Sequence, residues 1–221
     1  EVAIADLPVP VGTWRSVGSS QNAFFTESFI DELANAAKKD PFEYRRDLLQ
    51  NHPRFKAVLE KAAEMANWSS PLPEGKGRGI ALHKSFGSIV AEVVEVSMTS
   101  GQSFTIDKVF CVIDCGKYVN PDTIEAQMQS GIIYGLTAAL YGQITFKGGE
   151  VEQYNFPQYE MIRMNVAPTI SVHIMDVDEY PGGVGEPATP PAAPALANAI
   201  FAATGERIRS LPLQKHDYRF V

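Results

Sequence analysis

The sequence predicts an α+β fold in which a helical N-terminal lobe precedes a mixed β/α lobe. Apolar residues recur with helical spacing through residues 20–67, and β-rich runs begin only beyond that block. A stretch rich in Ser, Pro and Gly separates the two patterns. We therefore expect an N-terminal loop and helical segment over residues 1–68, a linker over 69–78 and the mixed lobe over 79–221.

Local signals predict three helices in the first lobe. The first helix has one apolar face on which residues are four apart, namely Phe25, Phe29, Leu33 and Ala37. Asp40 is the expected N-cap of a second helix, with Pro41 at its first position and Glu43 three residues after the cap. Pro53 opens a third helix whose expected inward residues are Phe55, Leu59, Ala62 and Ala66.

The second lobe combines strands with two helices. Residues 89–98 and 104–113 are β-rich runs joined by a turn signal at 99–102, which predicts a hairpin. Asn120 and Pro121 begin a long helix to about Leu140, in which Gly131 and Gly135 favour close packing. Beyond it we expect a short hairpin around 147–149, a strand over 170–177 and a final helix over 192–204.

Composition excludes several classes of protein. A net charge of −7 with scattered Lys and Arg argues against a nucleic-acid surface. No apolar run is long enough to span a membrane, and no signal peptide is visible. The two cysteines, Cys111 and Cys115, cannot ligate an iron–sulfur cluster and are expected to be buried apolar residues. The four histidines show no ligand spacing, so no metal ion is expected to be bound directly by side chains.

The most informative segment is the Gly-Val-Gly-Glu-Pro run at 183–187, which leads into a Pro/Ala-rich helix. Glu186 is the only ionisable residue between Pro181 and Thr204, and Gly185 beside it allows close backbone approach. A lone carboxylate in an apolar turn suits a general base. The alternative is an acid at a helix start, where the helix dipole favours it without any chemistry.

Three separated segments resemble the large, molybdenum-binding subunit of the xanthine dehydrogenase and aldehyde oxidase superfamily. Residues 14–18 are similar to the family's aromatic-Arg-Gly-x-Gly loop. The Asp-x-Gly-x-x-x-Asn-Pro pattern is found at 114–121, followed by Gln127. Residues 185–187 match the Gly-Glu-Pro loop that carries the catalytic glutamate. Residues 27–34 look most like the branch of the superfamily formed by the large chains (β) of isoquinoline 1-oxidoreductase.

The resemblance implies a molybdopterin-binding domain of the xanthine dehydrogenase type and assigns a role to each matching residue. The backbone around Trp14 and Arg15 would donate hydrogen bonds at the molybdenum centre. Gln127 would contact the pterin at the start of the long helix, with Gly185 beside the catalytic base Glu186. Ser16 and Val17 depart from the family pattern, which puts substrate stacking at Val17 in doubt. For Asn120 and Gly116, the roles of helix cap and turn glycine remain alternatives to cofactor contact.

A Gly-Gln-Gly-type cofactor loop is absent from the sequence, so the chain resembles the C-terminal part of a larger catalytic subunit. The resemblance then implies a molybdenum-pterin cofactor, as molybdopterin cytosine dinucleotide, and [2Fe–2S] clusters on a partner chain. Further partners would be the remainder of the molybdenum-binding subunit and an N-heteroaromatic or aldehyde substrate. A bacterial protein of the periplasm or cytoplasm is expected.

Two other functions stay open. A non-catalytic relative could keep the fold as an assembly or binding module, although intact Arg15, Gln127 and Glu186 argue against it. A self-contained hydrolase could combine Glu186 with His173 or Ser85, but no Gly-x-Ser-x-Gly motif is present.

Overall fold

The structure is a computed structural model that describes residue 9 and residues 11–221, so residues 1–8 and 10 of the expected N-terminal segment lie outside it. Its helices are α1 (Gly18–Ala36), α2 (Pro41–Leu48), α3 (Pro53–Met65), α4 (Pro121–Tyr141) and α5 (Thr189–Thr204). Its strands are β1 (Lys76–Ser85), β2 (Ser88–Ser100), β3 (Ser103–Asp114), β4 (Phe146–Lys147), β5 (Glu150–Val151), β6 (Thr169–Ile174) and β7 (Arg219–Phe220). Within this described part, no helix has the length and apolar character needed to cross a membrane.

The main sheet has the strand order β1-β2-β3-β6, and β7 pairs with the start of β3. Strands β1, β2 and β3 form an antiparallel meander, whereas β6 and β7 run parallel to β3. Helix α4 provides the crossover that a parallel β3–β6 pair requires. The mixed sheet with helices confirms the predicted α+β class.

Helices cover both faces of the sheet. Helix α3 packs on one face, where Val58, Leu59 and Ala62 meet a layer that includes Ile80 and Val93. Helices α4 and α5 pack on the opposite face, which holds the larger core. Helix α1 lies on α5 and β1, so the N-terminal helices join the same packed unit as the sheet. The division of the chain at residues 69–78 stays a prediction.

Helix α5 lies unusually close to its neighbours because glycines face it. A Cβ atom added at Gly79 of β1 would stand 2.3 Å from the Ala195 carbonyl oxygen of α5. On the other side, a Cβ atom added at Gly135 of α4 would stand 2.7 Å from the Thr189 carbonyl oxygen. The predicted close packing at Gly131 and Gly135 is therefore confirmed, with α5 as the partner helix.

The apolar face predicted for the first helix does not enter the core. Phe25, Phe29 and Leu33 are 62%, 60% and 38% exposed, and Ala37 is exposed as well. The buried face of α1 instead carries a mixed set, namely Ala23, Phe24, Glu27, Ser28, Asp31 and Ala34. The predicted helix is therefore correct, but its apolar face is not the face that it buries.

The physical reason is an ion network that lets α1 bury two carboxylates. Arg45 of α2, itself 3% exposed, donates from Nε to Glu27 at 2.9 Å and lies 3.4 Å from Asp31 through Nη1. Arg207 pairs with the second oxygen of Asp31 at 2.9 Å. Glu27 also accepts a hydrogen bond from the Leu82 N–H of β1 at 3.0 Å. Paired charges of this kind tolerate burial, whereas a single one would not.

Several element boundaries differ from the predictions. Strand β1 was not predicted, because its Lys-Gly-Arg-Gly start continues the glycine-rich linker pattern. The last helix begins at Thr189 instead of residue 192, and β6 ends at Ile174 instead of residue 177. The Asp40 cap is confirmed, since its Oδ1 accepts from the Phe42 and Glu43 N–H groups at 2.9 and 3.0 Å.

One carboxyl group is buried in the main core without a partner. Glu92 lies in the middle of β2, opposite Ala81 and Cys111, and is fully buried. Among the described residues, neither of its carboxyl oxygens has a hydrogen-bond partner. Burial raises the pKa of Glu92 well above its usual range. Burial therefore favours the protonated form of this carboxyl group.

The glycine contact of α5 predicts a large effect of a single methyl group. We expect Gly79→Ala to lower the free energy of unfolding by about 1–3 kcal/mol or more, because the new Cβ would overlap backbone atoms of α5. Gly12→Ala is the control, since a Cβ at Gly12 has no atom within 4 Å. Urea unfolding of both variants measures the difference, and equal stability of the two would contradict the close approach.

Burial of Glu92 predicts a specific pH dependence of stability. The unfolded chain releases the Glu92 proton at an ordinary carboxyl pKa, whereas the folded chain keeps it to higher pH. The free energy of unfolding therefore falls as pH rises from about 4.3 until the folded pKa is passed. We expect the Tm of Glu92→Gln to rise relative to the Tm of the parent as the pH increases over this interval. Glu74→Gln, at an exposed carboxyl, should show no such increase.

Candidate functional site

The structure brings together the three sequence segments that were singled out. The turn before α1 carries Trp14 and Arg15, helix α4 carries Gln127, and the loop before α5 carries Gly185 and Glu186. The segments are distant in the sequence, since Arg15 and Gly185 are separated by 170 residues. The predicted site residues therefore form one cluster.

Arg15 joins the three segments through its guanidinium group. Its Nε and Nη2 atoms donate to the Gly185 carbonyl oxygen at 3.0 and 2.5 Å. Nη2 also donates to Gln127 Oε1 at 3.0 Å, and Nη1 donates to Ser130 Oγ at 3.0 Å. A planar fork with five N–H donors suits this multiple contact, which a lysine could not reproduce.

Ser16 forms a second link between the N-terminal turn and the glutamate loop. Its hydroxyl donates to the Glu186 carbonyl oxygen at 2.6 Å, and the residue is fully buried. Glu186 is half-buried, and its carbonyl oxygen also accepts from the Thr189 N–H at 3.0 Å. Both contacts use the backbone carbonyl of Glu186, and neither involves its carboxylate.

The turn at Ser16 and Val17 has a costly backbone conformation. Their φ angles are 72° and 44°, in the region that favours glycine. The family pattern has a glycine where this chain has Ser16, and the structure explains why a residue there needs compensation. The hydroxyl contact with Glu186 supplies one such compensation at Ser16, and the N–H of Val17, a β-branched residue, donates to the Trp14 carbonyl oxygen at 2.8 Å.

Tyr134 of α4 contacts the same turn from its aromatic face. Its ring centroid lies 4.9 Å from that of Trp14, with an angle of 35° between the planes. The Arg15 Cζ atom lies 5.7 Å from the Tyr134 centroid, within reach of a cation–π interaction. Burial raises the pKa of Tyr134 above its usual value.

Two apolar grooves flank the cluster. The first, of about 410 Å³, has Trp14 on its wall together with Phe24, Phe25 and Leu211. The second, of about 380 Å³, lies along α4 beside Ser130 and Tyr134 and extends to Met161. A further opening exists at Gly185, where an added Cβ would meet no atom within 4 Å. The cluster is therefore accessible to a bound group.

The Asp114-Cys115-Gly116 segment has a structural role in this fold. The Asp114 carboxylate accepts hydrogen bonds from Nε and Nη2 of Arg54 at 2.7 and 2.8 Å. It also accepts a hydrogen bond from the Gly116 N–H at 3.0 Å. Burial alone would raise the pKa of Asp114, but these hydrogen bonds outweigh it and lower the pKa. Gly116 has a φ of 69°, and a Cβ there would lie 2.2 Å from the Tyr180 carbonyl oxygen.

The start of α4 is also satisfied internally. Asn120 Oδ1 accepts from the Thr123 N–H at 3.1 Å, which confirms the N-cap. Gln127 lies in the second turn of α4, beyond the free N–H groups of the first turn. Its contribution to a bound group would come from its side-chain amide, whose Oε1 is used by Arg15 and whose Nε2 remains a donor.

The structure gives no support to a hydrolase centred on Ser85. Its Oγ is buried, and within the described residues it has no hydrogen-bond partner that could act as a base. Cys111 and Cys115 are buried free thiols, as expected from the sequence. Across residues 9 and 11–221, no group of three or more His, Cys, Asp or Glu side chains could hold a metal ion.

Two members of the cluster, Ser130 and Tyr134, were not predicted from the sequence. They follow Gln127 at three and seven residues along α4 and therefore lie on the same helix face. That spacing was a usable signal once Gln127 had been singled out.

Comparisons with known proteins agree with the geometry. The molybdopterin cofactor-binding domain family matches residues 20–168. The chain is 34% identical over 210 residues to the beta chain of the isoquinoline 1-oxidoreductase of Brevundimonas diminuta, covering 93% of this chain and 27% of that protein. It is also 34% identical over 235 residues to one chain of the nicotinate dehydrogenase of Pseudomonas putida, covering 96% of this chain and 20% of that protein.

A solved structure shows the same fold. The aldehyde oxidoreductase of Desulfovibrio gigas matches 90% of this chain and 40% of its own, with a TM-score of 0.69 and 15% identity. The chain spans about a quarter of the length of the isoquinoline 1-oxidoreductase chain of Brevundimonas diminuta. The matched family region covers most of the chain, including Gln127 and the whole of α4. By this match, the chain belongs to the molybdopterin cofactor-binding domain family.

Proposed function

We propose that this chain is the C-terminal part of the catalytic subunit of a molybdenum-dependent oxidoreductase. The reaction is hydroxylation of an N-heteroaromatic compound or oxidation of an aldehyde, with water as the oxygen source. The observation that carries the proposal is the Arg15 fork, which ties the glutamate loop to Gln127. The names of relatives support the substrate classes, since they include an isoquinoline oxidoreductase, a nicotinate dehydrogenase and an aldehyde oxidoreductase.

The residues of the cluster fit a molybdenum-pterin cofactor. The open space at Gly185 leaves room for a group that approaches the backbone, and Gln127 offers an amide donor next to it. Backbone N–H groups of the Trp14–Arg15 turn would supply further donors, so metal ligation by side chains is not required. When bound, the cofactor supplies the two-electron redox chemistry. The cytosine dinucleotide form of the pterin belongs to this proposal.

Glu186 is the proposed general base. It takes a proton from the water that provides the oxygen atom, while Arg15 and Ser16 hold its loop by the backbone. Within this loop, the Arg15 guanidinium and the Ser16 hydroxyl contact the carbonyl oxygens of Gly185 and Glu186, so these contacts leave the Glu186 carboxylate for chemistry. Trp14 and Tyr134 pack against each other beside the cluster, with ring centroids 4.9 Å apart.

The proposal includes partners. The remainder of the molybdenum-binding subunit would complete the site, in keeping with the greater length of the relatives. An iron–sulfur subunit with [2Fe–2S] clusters would receive the electrons, because the two cysteines of this chain are too few for a cluster. We place the enzyme in the bacterial periplasm or cytoplasm.

The first test of the function is the Glu186→Gln variant in the complete enzyme. We expect turnover to fall by about 10²–10⁴-fold, since a positioned general base is lost, while molybdenum content and folding stay unchanged. Glu74→Gln, an exposed loop carboxyl outside the cluster, is the matched control and should keep full turnover. Unchanged turnover in Glu186→Gln would favour the alternative in which the fold serves as a non-catalytic assembly or binding module.

The second test concerns the electron route. The native complex purified through this chain should contain a separate subunit and show the visible and paramagnetic-resonance spectra of [2Fe–2S] clusters. Reduction by substrate should bleach the visible bands. An active complex without any iron–sulfur signal would overturn the proposed route.

A further inference from the structure

We propose that Tyr134 is a positioning residue whose aromatic ring holds the turn 14–17 in the strained shape that presents Arg15 to the glutamate loop. Only the catalytic consequence of this inference rests on the proposed function. Its structural content stands on the contacts of Tyr134 with Trp14 and Arg15.

The turn needs an external restraint. A β-branched residue at positive φ, as at Val17, is strained and persists only when surrounding contacts impose it. The Ser16 hydroxyl and the hydrogen bond from Ser20 Oγ to the Arg15 carbonyl oxygen at 2.8 Å restrain the turn on its C-terminal side. On the N-terminal side, the Val17 N–H closes the turn by donating to the Trp14 carbonyl oxygen at 2.8 Å, but the Trp14 side chain, which is 38% exposed, takes no part in that bond.

Tyr134 is placed to restrain that side. Gln127, Ser130 and Gly185 all contact the Arg15 guanidinium through hydrogen bonds. Tyr134 differs from them because its ring meets both the Trp14 ring and the guanidinium. It therefore fixes Trp14 relative to Arg15, which none of the hydrogen bonds to the guanidinium can do.

The helix under Tyr134 is a rigid support. Gly131 and Gly135, on either side of it in α4, pack against the backbone around Ala188 and Thr189 at the start of α5. Thr189 Oγ1 lies 3.4 Å from the Gly131 carbonyl oxygen. The position of Tyr134 is thus tied to the helix that follows the Glu186 loop. The turn and the loop are therefore supported by the same pair of packed helices, α4 and α5.

Ordinary apolar packing is the competing role for Tyr134, since its neighbours along the groove include Ile133 and Met161. The two roles differ in what they require of the side chain. Stacking on Trp14 and cation–π contact with Arg15 need an aromatic face, which Phe provides and Leu does not. Packing needs only apolar volume, which Leu also provides.

Trp14 fluorescence reports the proposed contact directly. Trp14 and Trp68 are the two tryptophans of the chain, so Trp68→Phe leaves Trp14 as the only tryptophan emitter. In this background we expect Tyr134→Leu to release the turn 14–17 from α4 in a larger share of the molecules. The population in which the turn is released should rise by about 2- to 10-fold, because one aromatic pair is lost. Its Trp14 emission should shift to longer wavelength, with faster quenching by acrylamide. Tyr134→Phe should match the parent in both measurements.

Tyr141→Leu is the matched control. Tyr141 is also a half-buried tyrosine of α4, and its carbonyl oxygen accepts from Gln214, far from the turn. This variant should leave Trp14 emission and quenching unchanged. If Tyr134→Leu also leaves them unchanged, or if Tyr134→Phe behaves like Tyr134→Leu, the proposal is overturned. These measurements need no cofactor, so they stand or fall independently of the enzyme function.

A second arm uses the complete enzyme. There we expect Tyr134→Leu to lower kcat with normal molybdenum content, and Tyr134→Phe to restore it. A fluorescence response without any change in kcat would confine Tyr134 to a structural role and overturn the positioning role. The complete enzyme could be found to have another activity while Tyr134→Leu still changes the Trp14 fluorescence. That result would support the aromatic contact and would overturn only the proposed function.

Discussion

The close approach of α5 to its neighbours is the constraint on which the rest of the structure depends. Gly79 on one side and Gly135 on the other leave no room for a side chain between α5 and the elements that flank it. Because the helix is fixed so tightly, the loop that precedes it has a defined position. Gly185 and Glu186 are in that loop, so small residues in the core determine where the candidate base lies.

A buried ion network secures α1 and α2 to the segment that follows α5, where Arg207 lies. Arg45 and Arg207 neutralise Glu27 and Asp31 on the inner face of α1. Removing one partner would leave a buried charge, which typically costs about 3–5 kcal/mol. This network fixes the direction in which α1 leaves the Trp14–Val17 turn. The turn is thus held at one end by ion pairs and at the other by Tyr134 and the Arg15 fork.

The candidate site follows from these two supports. The Arg15 guanidinium takes its acceptors from two side chains of α4, Gln127 and Ser130, and from the Gly185 carbonyl in the loop that leads into α5. The glycine contacts fix α4 and α5 relative to each other. The strain at Val17 is tolerated because the surrounding contacts are numerous. In physical terms, packing and ion pairs offset the cost of one unfavourable turn.

The sequence by itself determined the elements whose signals are local. Caps at Asp40 and Asn120, the turn between β2 and β3 and the lone carboxylate at Glu186 depend on residues only a few positions apart, and the motif order at Arg15, Gln127 and Glu186 identified the family. Only the tertiary structure decided which side of α1 is buried, that β1 joins the sheet, and that Ser130 and Tyr134 belong to the cluster. Those features depend on partners distant in the chain. A buried carboxylate needs its arginine, a glycine-rich strand needs the helix it faces, and an aromatic ring needs the turn that it stacks on.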